Sequence, residues 1–159
     1  MQNYILKGLF VFLMMTSFNT YAAVIVARQQ EIKCECTFDY LHKSSTSTDG
    51  IPANTINTHL TIGCNTDTVS TEVTEYALWK VVDGNYVDMV GVKLRQLNPG
   101  RYSLSADPSE CENAPKEGLV GVAIAYFTIY SENPDVVITN EQEGSCEIEN
   151  TIINCPPPA

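Results

Sequence analysis

Basic side chains are scarce: nine Lys and Arg stand against nineteen Asp and Glu, a formal net charge of −10. Phosphate backbones and anionic lipid repel such a surface, which sets aside nucleic-acid and membrane-surface binding and leaves a basic partner open. Histidine is limited to His42 and His59, and tryptophan to Trp79. The short motifs that carry chemistry are also missing: no G-x-S-x-G elbow, no Gly-rich phosphate loop, no H-E-x-x-H, no EF-hand loop and no C-x-x-C. An enzyme built from this chain is expected to use His42 or His59 with a nearby carboxylate or hydroxyl; glycoside hydrolysis by two carboxylates is the other route, and among nineteen acidic residues no pair is singled out. No helix-period stretch of useful length and no internal repeat occurs, so helical folds and solenoids are set aside as well.

The N-terminal stretch has the grammar of a secretion signal. Lys7 precedes an apolar run from Gly8 to Met15, and a polar segment ends in small residues at Thr20 and Ala22. Cleavage is expected after Ala22, with Ala23 as the rival, and residues 23–159 form one exported domain. The apolar run is too short for a membrane anchor, and no cysteine stands at the junction for lipid attachment. Removing residues 1–22 leaves eight basic against nineteen acidic side chains over 137 residues, a charge of −11 and a length that suits one core.

All six cysteines, Cys34, Cys36, Cys64, Cys111, Cys146 and Cys155, follow the leader. An even count in a small exported domain reads as a disulfide framework. Cys34 and Cys36 lie one residue apart, so on a strand they share a face with parallel side-chain vectors, roughly 6.6 Å apart, and are badly placed to bond each other. Each needs its own partner. If residues 31–42 and 55–65 flank a loop centred near Asp49, facing residue numbers sum to 98, which pairs Cys34 with Cys64. A hairpin turning near Asn150 would pair Cys146 with Cys155, leaving Cys36 for Cys111. Metal ligation by these cysteines is a weak reading: only two histidines are there to help, and Met89 is the sole methionine past the leader. No metal and no cofactor are expected.

Short runs rich in Val, Ile, Thr and Tyr alternate with turn residues about every ten positions, which indicates an all-β antiparallel sandwich of about eight strands, with a small closed barrel as the alternative. Across residues 74–106, a three-residue loop at Asp83, Gly84 and Asn85 would set Lys80 opposite Asp88, Trp79 opposite Met89, Val81 opposite Val87, Leu78 opposite Val90 and Glu75 opposite Lys93. Asn98 to Arg101 fits a type II turn with Gly100 at positive φ, completing a three-stranded meander. The run from Leu119 to Tyr130 reads as a strand covered on both faces, turning at 132–135 to pair Ile129 with Ile138 and Thr128 with Thr139. Tyr126 and Tyr130 share one of its faces with Val122 and Ile124, as core residues, while Phe127 and Ile129 share the other.

The acidic loops at 106–118 and 140–149 are the contact candidates, through Asp107, Glu110, Glu112, Glu117, Glu141 and Glu143. The function expected is binding, to a protein or glycan outside the cytoplasm, inhibitory where the partner is a basic enzyme. A secreted effector or hydrolase of unfamiliar type and a structural subunit of a surface assembly are the alternatives. Residues 23–30, AVIVARQQ, match the alternating extension of a chaperone-assembled pilin only faintly.

Overall fold

A computed structural model describes residues 31–44, 51–131, 133, 138 and 143–155. The leader, Thr139 and Glu141 lie outside them. The chain is all-β, in two antiparallel sheets. The elements run β1 (Cys34–Phe38), β2 (His42–Lys43), β3 (Ile56–Cys64), β4 (Val69–Val82), β5 (Asn85–Asp88), β6 (Lys93–Asn98), β7 (Arg101–Ser105), the single turn α1 (Ser109–Glu112), β8 (Leu119–Ser131) and β9 (Glu143–Ile153). The first sheet has the order β1-β3-β7-β6, with β2 also beside β3; the second has β5-β4-β8-β9. Neither closes on itself. One apolar cluster takes Leu60, Ile62 and Leu104 from the first sheet and Leu78, Ala123, Ala125 and Phe127 from the second.

Strand alternation builds that core. Along β8 the odd-numbered residues from Leu119 to Ile129 are buried, Gly121 among them. Gly144 crosses the strand beside Phe127, where a Cβ would stand 2.6 Å from the ring's Cε1, so a side chain has no room there. Tyr102, on β7, is buried and donates its hydroxyl to the Thr71 carbonyl of β4 at 2.9 Å, a polar tie between the sheets.

β4 and β5 join through two residues, Asp83 and Gly84, at φ 50° and 78°. The register pairs Trp79 with Asp88, Lys80 with Val87, Val81 with Tyr86 and Val82 with Asn85, so the expected three-residue loop is replaced by a two-residue one. Two positive-φ residues make the primed turn whose twist matches that of the strands. The charge match that favoured the other register is met elsewhere, since Lys80 turns inward to Glu110 and Asp88 accepts the indole N–H of Trp79. The meander does not form either. Gly91, at φ 64°, redirects the chain, and β6 and β7 join the opposite sheet. Leu78 pairs with Ala123, and Met89 is buried in the core. The β6–β7 turn does place Gly100 at φ 71°, as Asn98 to Arg101 implied, and its carbonyl accepts the Ile62 N–H at 2.7 Å.

β8 is flanked by β4 and β9, and Thr128 sits between Glu72 and Glu143; Thr139, its expected partner, lies outside the described residues. An eleven-residue β9 offers the longer ladder. It does not turn at Asn150. Instead Glu149 and Asn150 together oppose Val122, with Asn150 at φ 52°, which makes a β-bulge inside one continuous strand.

That continuity corrects the sulfur pairing. Cys34–Cys64 forms as the register sum required, but Cys146 and Cys155 lie on one extended segment and cannot meet, so Cys36 bonds Cys146 and Cys111 bonds Cys155. Sequence separations of 30, 110 and 44 correspond to about 3.6, 4.8 and 4.0 kcal/mol of chain-entropy restriction. Peptide mapping of unreduced protein is expected to recover Cys36 linked to Cys146, and the double variant Cys36→Ala/Cys146→Ala to lose the most stability in urea. Equal losses for all three paired removals would contradict that ordering.

Candidate functional site

The outer faces of the two sheets differ in charge, because registration sorts side chains by face: the second is acidic and the first is of mixed sign. On the second sheet the outward rows are Asp88–Trp79–Val122, Ala77–Ile124–Glu147, Glu75–Tyr126–Ser145, Glu72–Thr128–Glu143 and Ser70–Tyr130. Glu72, Glu75, Asp88, Glu143 and Glu147 are all exposed. The one basic residue in these four strands is Lys80, and it points the other way. Tyr126, Tyr130 and Tyr86 are 44%, 47% and 60% exposed. Tyr126 and Tyr130 are therefore surface residues, and β8 is covered toward the core alone at that end. Thr74, Glu75, Tyr126 and Glu143 line a shallow recess, in which an aromatic ring is flanked by two carboxylates. The Trp79 and Tyr86 rings stand 6.3 Å apart further along the face.

The first sheet's outer face carries His42–Asn57–Ser105–Lys93, His59–Ser103–Arg95, Thr37–Thr61–Arg101 and Glu35–Gly63, with Glu35 exposed. Lys93, Arg95 and Arg101 are exposed on it.

The acidic contact candidates are not brought together. Glu110 is 5% exposed. Its carboxylate accepts from Lys80 Nζ at 2.5 Å and from the Val90 N–H at 2.8 Å, so it locks α1 onto the β4–β5 hairpin and is withdrawn from any contact surface. Asp107 is exposed and accepts the Ser109 N–H at 2.9 Å. That hydrogen bond holds its carboxyl below the usual range, aided by Lys93. Glu112 and Glu117 are exposed on the same loop. Glu143 is at the opposite end of β8, nine residues along from Leu119, or roughly 30 Å.

Asp39 organises the first sheet's face. It follows β1 directly, opposite His59, and its N–H donates to the His59 carbonyl at 2.9 Å. Its carboxylate accepts from the His59 backbone N–H at 2.6 Å, from His59 Nδ1 at 2.7 Å and from Thr58 Oγ1 at 2.8 Å. Burial pushes the Asp39 pKa up, but these donors and the imidazole charge outweigh it, and the carboxyl is held below its usual value. His42 donates Nδ1–H to the Tyr40 carbonyl at 3.0 Å, which fixes its tautomer because a carbonyl only accepts. The His42 and His59 rings lie 6.1 Å apart. Sequence reasoning named both histidines as candidates and missed Asp39, although the register sum of 98 that matched Cys34 to Cys64 also sets residue 39 against residue 59. Among the described residues, no three His, Cys, Asp or Glu side chains gather round one point as a metal cage.

Comparison with family models, curated proteins and solved structures finds no match, so geometry alone bears on function.

Two outcomes are expected. Glu110→Ala strips a partner from a buried ion pair and is expected to cost about 3–5 kcal/mol in urea unfolding, against under about 0.5 kcal/mol for Glu112→Ala or Glu117→Ala. A carboxyl whose folded pKa is lowered stabilises the fold above its unfolded pKa, and loses that effect as pH falls through the folded value. Asp39, with its pKa lowered from 3.8, is such a group. Stability should thus fall as the pH drops below about 4, and fall less in Asp39→Asn. Identical pH profiles would contradict this role for Asp39.

Proposed function

We propose that the chain is an exported, disulfide-braced binding domain, and that the outer face of the second sheet receives a basic protein partner. The recess formed by Tyr126 between Glu75 and Glu143 carries this reading. A tyrosine face attracts an ammonium or guanidinium group, and adjacent carboxylates add charge-assisted hydrogen bonds to it. Glu72, Glu147 and Asp88 extend the field along the face, and the inward turn of Lys80 leaves those carboxylates uncompensated there. The leader and the three intramolecular disulfides support a place outside the cytosol, since such bonds indicate an oxidising, extracellular or periplasmic environment.

The hydrolase reading has one point in its favour, the Asp39–His59 pair at 2.7 Å. Two hydroxyls beside it are already engaged. Ser103, the cross-strand partner of His59, is buried and donates its hydroxyl to Asn57 Oδ1 at 2.7 Å, and the Thr58 hydroxyl is taken by Asp39.

A labelled Lys/Arg-rich octapeptide serves as the probe. It is expected to bind the oxidised domain with an affinity that falls as salt rises, to perturb the amide resonances around Tyr126, and to bind at least tenfold more weakly to the triple variant Glu75→Lys/Tyr126→Ala/Glu143→Lys. Unchanged affinity in that variant, or perturbations confined to the 107–117 loop, would overturn the assignment. So would sedimentation showing that the face is filled by the Lys93–Arg95–Arg101 face of a second copy.

A further inference from the structure

His42 and His59 share one chemical state for two different reasons. His42 reaches the surface on a two-residue strand paired to Asn57, and its Nδ1–H is spent on the Tyr40 carbonyl at 3.0 Å. His59 sits on the neighbouring strand two residues further on, and its Nδ1–H is spent on the Asp39 carboxylate at 2.7 Å. Both acceptors demand a proton at Nδ1, so each neutral ring carries a bare lone pair on Nε2. Among the described residues neither Nε2 has a hydrogen-bond partner. Both rings are partly exposed, with the His59 side chain at 22%.

This is how metal-binding imidazoles are held. A ligating histidine gives its other ring N–H to a carboxylate or backbone carbonyl, which fixes the tautomer, steadies the ring and raises the basicity of the ligating nitrogen. Here one ring has the carbonyl and the other the carboxylate. The spacing is compatible: with metal–nitrogen bonds of about 2.0–2.1 Å and the half-width of each ring, two imidazoles on one ion have centres roughly 4.5 to 6.5 Å apart as the bond angle opens, and these stand 6.1 Å apart, toward the wide-angle end.

We propose that His42 and His59 form a two-imidazole surface site for a divalent transition ion of the zinc and copper(II) class, with Asp39 as the positioning residue for His59. Imidazole suits zinc, copper, nickel and iron, and the Irving–Williams order puts copper(II) highest. Water completes the coordination, because no third protein ligand stands at the site among the described residues. Arg95 lies two strands away on the row of His59, beyond Ser103, and Lys93 lies further off beyond Ser105. The site is independent of the acidic face, which the second sheet carries on the opposite side of the core.

The experiment is calorimetric titration of the oxidised protein with copper(II) and then zinc(II) alone, in a non-chelating buffer, with magnesium as the control. One equivalent of copper(II) is expected to bind, more tightly than zinc(II), and magnesium is not. His42→Ala leaves the Asp39 cluster untouched and is expected to weaken binding at least tenfold, as is His59→Ala; the double variant is expected to lose the site. Asp39→Asn keeps both rings and is expected to weaken binding about 10–100-fold. Nitrogen-15 spectra of the imidazoles are expected to show Nδ1–H in both rings and a shift at Nε2 when zinc is added. Binding that survives in the double variant, an absence of binding at millimolar metal, or rings protonated on Nε2 would each overturn the site.

Discussion

The fold depends on a constraint one dipeptide step long. Cys34 and Cys36 occupy the same face of β1 and cannot bond each other, so each is committed to a distant strand. Cys34 takes Cys64 on β3 within its own sheet, and Cys36 takes Cys146 on β9 of the other. One short strand is therefore fastened sideways to its neighbour and across to the second sheet. The third bond, Cys111–Cys155, brings α1 to the chain that follows β9. With α1 held there, Glu110 meets Lys80 on the inward side of β4, and the charged side chains described on the outer face of the second sheet are all acidic.

Local signals were legible where the determinant was local. Gly100 behaved as Pro99–Gly100 implied, and a loop centre near Asp49 was enough to register β1 on β3 and so to pair Cys34 with Cys64. The failures share one cause, a partner distant in sequence. Lys80 looked like the natural match for Asp88, eight residues away, but its counter-charge is Glu110, thirty residues on. A register chosen to satisfy the near pair had to be wrong once the far pair existed. Asn150 resembled the corner of a hairpin because a left-handed asparagine serves a bulge as readily as a turn, and only the length of β8 decides between them. Tyr126 and Tyr130 were indistinguishable from core residues by spacing alone, since strand periodicity names two faces without saying which one another sheet will cover.

The polar groups of the first sheet illustrate a different economy. Asn57, Thr58 and Ser103 are almost inaccessible, and each finds a partner nearby: Ser103 with Asn57, Thr58 with Asp39. Satisfying them in this way engages the Thr58 and Ser103 hydroxyls beside the imidazoles. Asp39 thereby does two things through one carboxylate, continuing the backbone pairing of β1 past Phe38 and setting the tautomer of His59.

The Cys36–Cys146 bond has a bearing on assembly that goes beyond its chain-entropy effect. β1 and β9 are border strands of their respective sheets, the places where a pleated ladder ordinarily invites foreign strands to add. Stapled to one another, neither can peel away to be traded between molecules while the bond is intact. Reciprocal exchange of β9 between two copies is therefore closed under oxidising conditions and opens only upon reduction.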